Sequence, residues 1–193
     1  SILLLFTLVI LIIAFIYHST LHSLFTGYYE DDNFKYEYDA FVSYNVNDSE
    51  WVFKHLVPNL ENSDNEYNHI KLCVYDRDFI AGRPISECIL ESIKTSRKVI
   101  LVISNNFVKS PWCRFETDLA HNTLMDQNRD GLIMIKLEEL DYETIAPQLH
   151  FLLKTRIYLQ WNGPGLKEQE IFFKKLRRAL GFNVKKQQLN GKP

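Results

Sequence analysis

One seven-residue segment, residues 38–44, constrains the fold of this chain more than any other part of the sequence. Apolar or aromatic residues fill its alternate positions, and Phe41 breaks the alternation, so that both faces of the segment look buried. A strand of this kind belongs in the interior of a parallel sheet that helices cover on both sides. The polar residues 45–48 that follow form a turn able to cap a helix. The segment therefore predicts the opening strand of an α/β domain.

The first part of the chain differs in character from the rest. Residues 2–17 contain no charged side chain and a single aliphatic hydroxyl, that of Thr7. Counted on to Leu21, the run reaches the roughly 20 residues that a helix needs to cross a bilayer. It has neither the basic start of a signal peptide nor the polar stripe of a core helix. We expect a single transmembrane helix over residues 1–21 and a juxtamembrane linker over residues 22–35.

The remaining sequence is sufficient for one domain, which we expect over residues 36–182, with a C-terminal tail over residues 183–193. The net charge of −2 gives no reason to expect nucleic-acid binding. The three cysteines, Cys73, Cys88 and Cys113, are odd in number and lack a Cys-x-x-Cys spacing. This pattern favours reduced thiols in the cytosol over a disulfide framework.

Strand-like and helix-like segments alternate along this domain. The first helix is expected over residues 48–61, capped by Asn47 or Asp48 and distorted by Pro58. Further strands are predicted at residues 70–75, 99–103, 132–137 and 155–159, and further helices at residues 85–93, 111–125 and 168–180. The alternation predicts a flavodoxin-like, five-stranded parallel sheet in the order 2-1-3-4-5, flanked by helices. In such sheets function gathers in loops at the carboxyl ends of strands, here residues 76–84 and 104–111.

The sequence lacks the usual signatures of cofactor and metal sites. It contains neither a Gly-x-Gly-x-x-Gly segment after the first strand nor a phosphate-binding Gly-x-x-x-x-Gly-Lys-Ser/Thr segment. His18 and His22 share one helical face but have no third ligand nearby. One catalytic alternative stays open, because Glu116 would be placed to stabilise an oxocarbenium-like centre during glycosidic cleavage. The simpler interpretation of Glu116 is a first-turn carboxylate that the helix dipole favours.

Three segments taken together resemble the cytoplasmic Toll/interleukin-1 receptor (TIR) domain of Toll-like receptors. They are residues 38–44, the Arg-Asp-Phe-Ile-Ala-Gly run of residues 77–82, and residues 96–98 with 104–113. The resemblance extends over residues 36–180 and implies a cytosolic signalling scaffold behind a single membrane span. It implies partners that are TIR-containing adaptors or another receptor of the family, no cofactor, and a plasma or endosomal membrane location. Since some TIR domains outside receptors are NAD hydrolases, an NAD glycohydrolase using Glu116 remains the alternative.

The resemblance assigns partner binding to the loop after the second strand, whose residues are Arg77, Asp78, Phe79, Ile80, Ala81, Gly82, Arg83 and Pro84. Within this loop, Phe79 and Ile80 form an apolar centre with a charged rim, the usual composition of an interface. The alternative is that these two side chains pack back onto the second helix.

Two positions depart from the family pattern. Many of these receptors carry Pro where Ala81 stands, and Ala restores an N–H and frees φ, so we expect a more mobile loop. The family's Phe-Trp pair before the last helix is Phe172-Phe173 here. Some details resemble receptors of the endosomal, nucleic-acid-sensing kind, a few of which carry Ala at this position. A third possibility, supported only by Ala81, is an inhibitory or decoy receptor.

The charged residues of the domain are unevenly distributed. An acidic segment contains Glu138, Glu139, Asp141 and Glu143, and a basic one contains Lys174, Lys175, Arg177, Arg178, Lys185 and Lys186. Opposed patches of this kind allow copies to associate head to tail. The alternatives are ordinary solvated faces, or a basic tail that rests on anionic lipid.

Overall fold

The computed structural model describes residues 36–62, 69–126, 130–163 and 165–182, with side chains described for all of these except residues 111–116, 125 and 126. The predicted transmembrane helix, linker and C-terminal tail therefore lie outside the described residues. No helix within the described ranges combines the length and the apolar character needed to cross a membrane.

Five parallel strands form one sheet in the order β2-β1-β3-β4-β5. The strands are β1 (Tyr38–Ser43), β2 (Leu72–Val74), β3 (Ser96–Ile103), β4 (Leu132–Lys136) and β5 (Leu159–Gln160). β1 lies between β2 and β3, where Phe41 is in register with Cys73 on one side and Val99 on the other. The predicted strand order and direction are confirmed.

Seven helical segments flank this sheet in the described part of the chain. α1 is a composite of four short pieces: a 3₁₀ turn (Val46–Asp48), an α turn (Ser49–Trp51), a π turn (Val52–Leu56) and a final α turn (Val57–Glu61). The others are α2 (Tyr75–Asp78), α3 (Ile85–Thr95), α4 (Asn105–Lys109), α5 (Pro111–Asp126), α6 (Pro147–Thr155) and α7 (Leu166–Ala179).

The sheet is buried on both faces, as the sequence of β1 predicts. Ala40 and Val42 point to one face, where they pack with apolar residues of α1 and α7. Phe41 points to the other face, where it packs with apolar residues of α3, α5 and α6. All three side chains are at most 1% exposed. Both layers of helices are therefore held to the sheet by apolar burial, the main stabilising term of folding.

The start of α1 differs from the prediction. Asp48 stands at the N-cap position of the first α turn, as predicted, but its side chain makes no capping hydrogen bond. Asn45 caps the preceding 3₁₀ turn, because its side-chain oxygen accepts a hydrogen bond of 3.0 Å from the backbone N–H of Asn47. Pro58 distorts the helix as predicted: its ring lacks an N–H and excludes the carbonyl four residues earlier. The wider π turn that ends at Leu56, two residues before Pro58, accommodates that loss.

The region between β4 and β5 also differs from the prediction. The fifth strand predicted at residues 155–159 exists, but its bounds are wrong: Thr155 ends α6, Ile157 is 97% exposed, and the strand begins only at Leu159. α6 itself was not predicted, although Leu149 and Leu152 recur at helical spacing and are buried. The edge strand β5 is only two residues long and follows this exposed segment. Residues 155–158 are therefore a helix end and a connection, and of the residues expected in the sheet only Leu159 belongs to it.

Candidate functional site

The predicted partner-binding loop leaves the carboxyl end of β2 and leads into α3. Its first part is helical, since α2 continues directly from β2, and the irregular part is residues 79–84, which we call the docking loop. Within it, the N–H of Arg83 donates to the carbonyl of Ile80 over 3.4 Å. Gly82 has a φ of +89°, the value that the third residue of a type II turn requires. The docking loop therefore reverses direction at Ala81 and Gly82.

The charged groups of Arg77 and Asp78 bind inside the domain. The Arg77 guanidinium donates to both carboxylate oxygens of Glu61, over 2.7 and 3.0 Å, and to the carbonyl of Leu72 over 2.6 Å. The Asp78 carboxylate accepts from Arg77 and, over 2.7 Å, from the backbone N–H of Val74. Both side chains thus tie the base of the docking loop to β2 and to the end of α1.

Aromatic stacking also anchors the base of the docking loop, on the side that faces the interior of the domain. Phe79 stacks on Phe41 of β1 with ring centroids 6.2 Å apart and lies against Tyr75 at the same distance. Tyr75 in turn stacks on the buried Tyr44 at 4.3 Å, and the Tyr44 hydroxyl donates to Asp76 over 2.8 Å. Burial is the main reason that the pKa of Tyr44 lies above its ordinary value. Phe79 therefore packs back into the domain, as the alternative interpretation expected, although against β1 rather than the second helix.

The tip of the docking loop, residues 80–84, is exposed. Ile80 is 66% exposed, and Ile85, the first residue of α3, is 53% exposed. Arg83 forms an ion pair of 2.6 Å with Glu91, and both of these side chains are largely in solvent. The eight predicted residues thus divide into an anchored base, residues 77–79, and a tip that carries an exposed isoleucine.

A second polar cluster occupies the carboxyl ends of β1 and β3, and sequence reasoning did not identify it. The Ser104 hydroxyl donates to Asp48, whose other carboxylate oxygen accepts from Asn106 over 2.9 Å. Asn45 donates to the Asn106 carbonyl over 3.2 Å. The available signal was a polar segment soon after each of two neighbouring strands, residues 45–48 after β1 and residues 104–106 after β3. Since these groups satisfy one another, the cluster is a brace between two loops and does not form an open site.

The catalytic alternative is not tested by the structure. Glu116 lies in the first half of α5, among the residues whose side chains are not described. Within the described ranges, His, Cys, Asp and Glu side chains form no group of three able to hold a metal ion. His18 and His22 lie outside those ranges.

The two charged surfaces face solvent at different parts of the domain. The side chains of Glu138, Glu139, Asp141 and Glu143 are exposed after the carboxyl end of β4. On α7, Lys174, Lys175 and Arg178 are exposed, whereas Arg177 is half-buried and donates to the carbonyl of Asn59 in α1. Lys185 and Lys186 lie outside the described residues.

Phe172 and Phe173, which replace the family's Phe-Trp pair, are core residues of α7. Their rings meet edge to face with centroids 5.1 Å apart, and each also meets the ring of Trp161 after β5. Both are only 6% exposed. Their arrangement fixes α7 against the sheet and leaves them inaccessible to a partner.

Comparison with known proteins agrees with this architecture. The TIR domain model matches residues 37–191. Toll-like receptor 2 of Mus musculus is 42% identical over 147 residues, which are 74% of this chain and 18% of that receptor. The Canis lupus familiaris receptor of the same name is 43% identical over 146 residues, with the same two shares. The chain thus spans less than a fifth of the length of the curated relatives that it matches.

A solved structure supports the fold independently. The TIR domain of the Toll-related receptor TRR-2 from Hydra magnipapillata superposes with a TM-score of 0.59 and 26% identity, over 75% of this chain and 98% of that one. The family model matches most of the chain, and the matched residues contain the whole parallel sheet in the order 2-1-3-4-5. The chain therefore belongs to the TIR domain family.

Proposed function

We propose that this chain carries the signalling domain of an innate immune receptor, which self-associates and recruits TIR-containing adaptors through the docking loop. The observation that carries the proposal is the division of the loop into an anchored base and an exposed tip. Arg77, Asp78 and Phe79 hold the base, while Ile80 stays 66% exposed. A preorganised loop loses less conformational entropy on binding than a mobile one, which favours affinity.

The composition of the tip supports protein binding rather than catalysis. Ile80 and Ile85 provide two exposed aliphatic side chains, and the Arg83–Glu91 ion pair lies beside them at the rim. An apolar centre with a polar rim is the usual anatomy of a binding hot spot. We therefore propose a non-enzymatic scaffold whose output is inflammatory signalling, in keeping with the relatives that are named Toll-like receptors.

The test compares two isoleucine-to-aspartate variants of the full chain. Ile80→Asp places a charge at the tip, and Ile157→Asp places the same charge on the 97% exposed isoleucine before β5. Capture of TIR-containing adaptors and of a differently tagged second copy should fall at least about tenfold for Ile80→Asp, the loss expected for a hot-spot residue, and stay unchanged for Ile157→Asp. Equal behaviour of the two variants would contradict the docking-loop proposal.

Self-association has a second supporting feature in the charge distribution. The acidic segment follows the carboxyl end of β4, while Arg97 at the amino end of β3 donates to the carbonyl of Leu180, just after α7. The end of α7, with exposed Lys174, Lys175 and Arg178, therefore lies towards the amino ends of the strands. Surfaces of opposite charge at opposite ends of the strands favour head-to-tail contact between copies. Such contact should weaken as salt rises through the physiological range.

The membrane-related part of the proposal rests on the apolar run of residues 1–21 and on relatives named as receptors. We propose a single-pass protein whose TIR domain faces the cytosol, at either the plasma or the endosomal membrane. The endosomal, nucleic-acid-sensing subtype stays a prediction from the sequence. Protease protection in sealed vesicles tests the orientation, because a cytosolic domain is digested without detergent.

The NAD glycohydrolase alternative predicts a separate activity. If the purified full chain consumes NAD and Glu116→Ala abolishes this consumption while the protein stays folded, the scaffold proposal is replaced by an enzymatic one. An unchanged NAD concentration in the presence of the wild-type chain supports the scaffold.

A further inference from the structure

β2 is the outermost strand of the sheet on its side, and its outward-facing backbone groups need partners. In a parallel strand, the N–H and C=O of one residue point to the same side of the strand, and successive residues point to opposite sides. The carbonyl of Lys71 accepts from the N–H of Asp39 over 2.8 Å, so the groups of Lys71 point towards β1. The groups of Leu72 and Val74 therefore point away from the sheet, although both residues are fully buried. An unpaired row of this kind is an open edge.

Three side chains close this edge. Leu72 donates its N–H to Glu61 over 3.1 Å and accepts at its carbonyl from Arg77 over 2.6 Å. Val74 donates its N–H to Asp78 over 2.7 Å. We call Glu61, Arg77 and Asp78 the edge clasp, since they supply the hydrogen bonds that a neighbouring strand would otherwise supply.

The edge clasp depends on Glu61, which belongs to a different element from the other two. Glu61 is the last residue of α1 and precedes Arg77 by 16 positions. Its two carboxylate oxygens meet two nitrogens of the guanidinium, a bidentate arrangement that fixes direction as well as distance. The hydrogen bond with Glu61 is also the main reason that the pKa of Arg77 lies above its ordinary value. Arg77 and Asp78 in turn form the end of α2, directly before the docking loop.

We infer that Glu61 is a positioning residue of the docking loop: through Arg77 it fixes the direction in which α2 ends, and hence the orientation of the tip. The inference rests on the proposed function, because it assigns a role to a residue outside the loop in partner binding by the loop. Glu61 acts from the side of β2, where its side chain is 22% exposed and engaged with Arg77.

The test uses Glu61→Gln in the full chain, purified in non-ionic detergent. Glutamine keeps an acceptor for the Leu72 N–H but loses the charge that holds the guanidinium. We expect faster amide exchange at Leu72, Val74 and the docking loop, and about tenfold weaker capture of a differently tagged second copy. The matched control is Glu50→Gln on the same helix, whose ion pair with Lys54 is long, 3.8 Å, and exposed.

A shorter acid separates positioning from simple destabilisation. Glu61→Asp keeps the negative charge and both acceptor oxygens while Arg77 stays unchanged, so it should recover capture relative to Glu61→Gln. It also keeps the test decisive if the single variant unfolds. Faster exchange at Leu72 and Val74 with wild-type capture would overturn the inference, because the clasp would then seal the edge without orienting the tip.

The same assay distinguishes this inference from the proposed function. If Ile80→Asp weakens capture and Glu61→Gln does not, only the positioning role is overturned. If Ile80→Asp also leaves capture unchanged, the docking loop is not the binding surface, and the proposed function is overturned together with the inference that rests on it.

Discussion

The hydroxyl of Ser104 donates a hydrogen bond of 2.5 Å to the carboxylate of Asp48, across 56 positions of the chain. The bond joins the loop after β3 to the first turn after β1, and both residues are buried. In flavodoxin-like sheets these two neighbouring strands border the crevice in which ligands usually bind. In this domain, the polar residues at that position hydrogen-bond to each other and connect the loops after β1 and β3.

Ser104→Ala should destabilise the domain by about 1–3 kcal/mol. The substitution leaves Asp48 without one of its buried partners and also removes the cap that Ser104 provides to the N–H of Phe107, 3.0 Å away. Denaturant unfolding measures the change. Ser86→Ala, at an exposed position in α3, is the matched control and should stay within about 0.5 kcal/mol of wild type. Equal unfolding midpoints for the two variants would contradict the stabilising role of the Ser104–Asp48 hydrogen bond.

Phe79→Ala and Ile80→Ala should differ in which property they change: the first should lower stability, and the second should lower partner capture. Phe79 stacks on Phe41 and is half-buried, so its truncation should cost about 2 kcal/mol of unfolding free energy. Ile80 is 66% exposed, and its truncation should change stability by less than about 0.5 kcal/mol while it reduces partner capture. Thermal unfolding and pull-down on the same preparations compare the two. A stability loss for Ile80→Ala would show that the tip is packed in solution.

Ala81→Pro should stabilise the docking loop. Ala81 precedes Gly82, whose positive φ marks the third position of a type II turn, and Pro is common at the second. Because Pro restricts the unfolded chain, the expected gain is about 0.4–1 kcal/mol, measured as a rise of the unfolding midpoint. A fall instead would mean that the backbone at Ala81 is incompatible with a proline ring.

The same residue tests the decoy interpretation. If Ala81 makes the receptor inhibitory, enforced dimerisation of the full chain should give no downstream output, and Ala81→Pro should restore it. Output from the unmodified chain on enforced dimerisation would exclude the decoy. The scaffold proposal expects output from both chains.

Stability should fall on the alkaline side because of Cys73. Burial raises the pKa of this thiol from 9.0 to about 11. The unfolded chain therefore releases the proton at lower pH than the folded chain, so the contribution is complete below pH 9 and is lost as pH rises towards 11. Denaturant midpoints at pH 8 and pH 10 measure the slope. Cys73→Val, which keeps an apolar side chain in β2, should flatten it, and an undiminished slope would contradict the assignment.

The sheet could be predicted from the sequence because its signals are local. Phe41 between Ala40 and Val42 identifies a strand buried on both sides, and the alternation of strands and helices predicts a parallel sheet, for which the flavodoxin-like order is the natural choice with five strands. Pro58 predicts a defect in α1 for an equally local reason, since it removes one hydrogen bond at a known position.

The errors arose where a local pattern was short or where a partner was distant in sequence. No element was predicted over residues 147–154, although Leu149 and Leu152 recur at helical spacing, and the fifth strand was placed at residues 155–159 instead of Leu159–Gln160. Phe79 and Ile80 are adjacent and apolar, and an irregular loop has no period that tells the buried one from the exposed one. Glu61 shares no local pattern with Arg77, so the edge clasp could not be read from the sequence.

The separation between the anchored base of the docking loop and its exposed tip has a consequence for which of its positions can be substituted. Gly82 fixes the reversal through its backbone, and a methyl group built there would meet no atom within 4 Å. Because Gly82 has a φ of +89°, a side chain there would strain the turn even in open space. The other four tip positions, residues 80, 81, 83 and 84, are exposed, so their side chains can be exchanged without disturbing the parallel sheet.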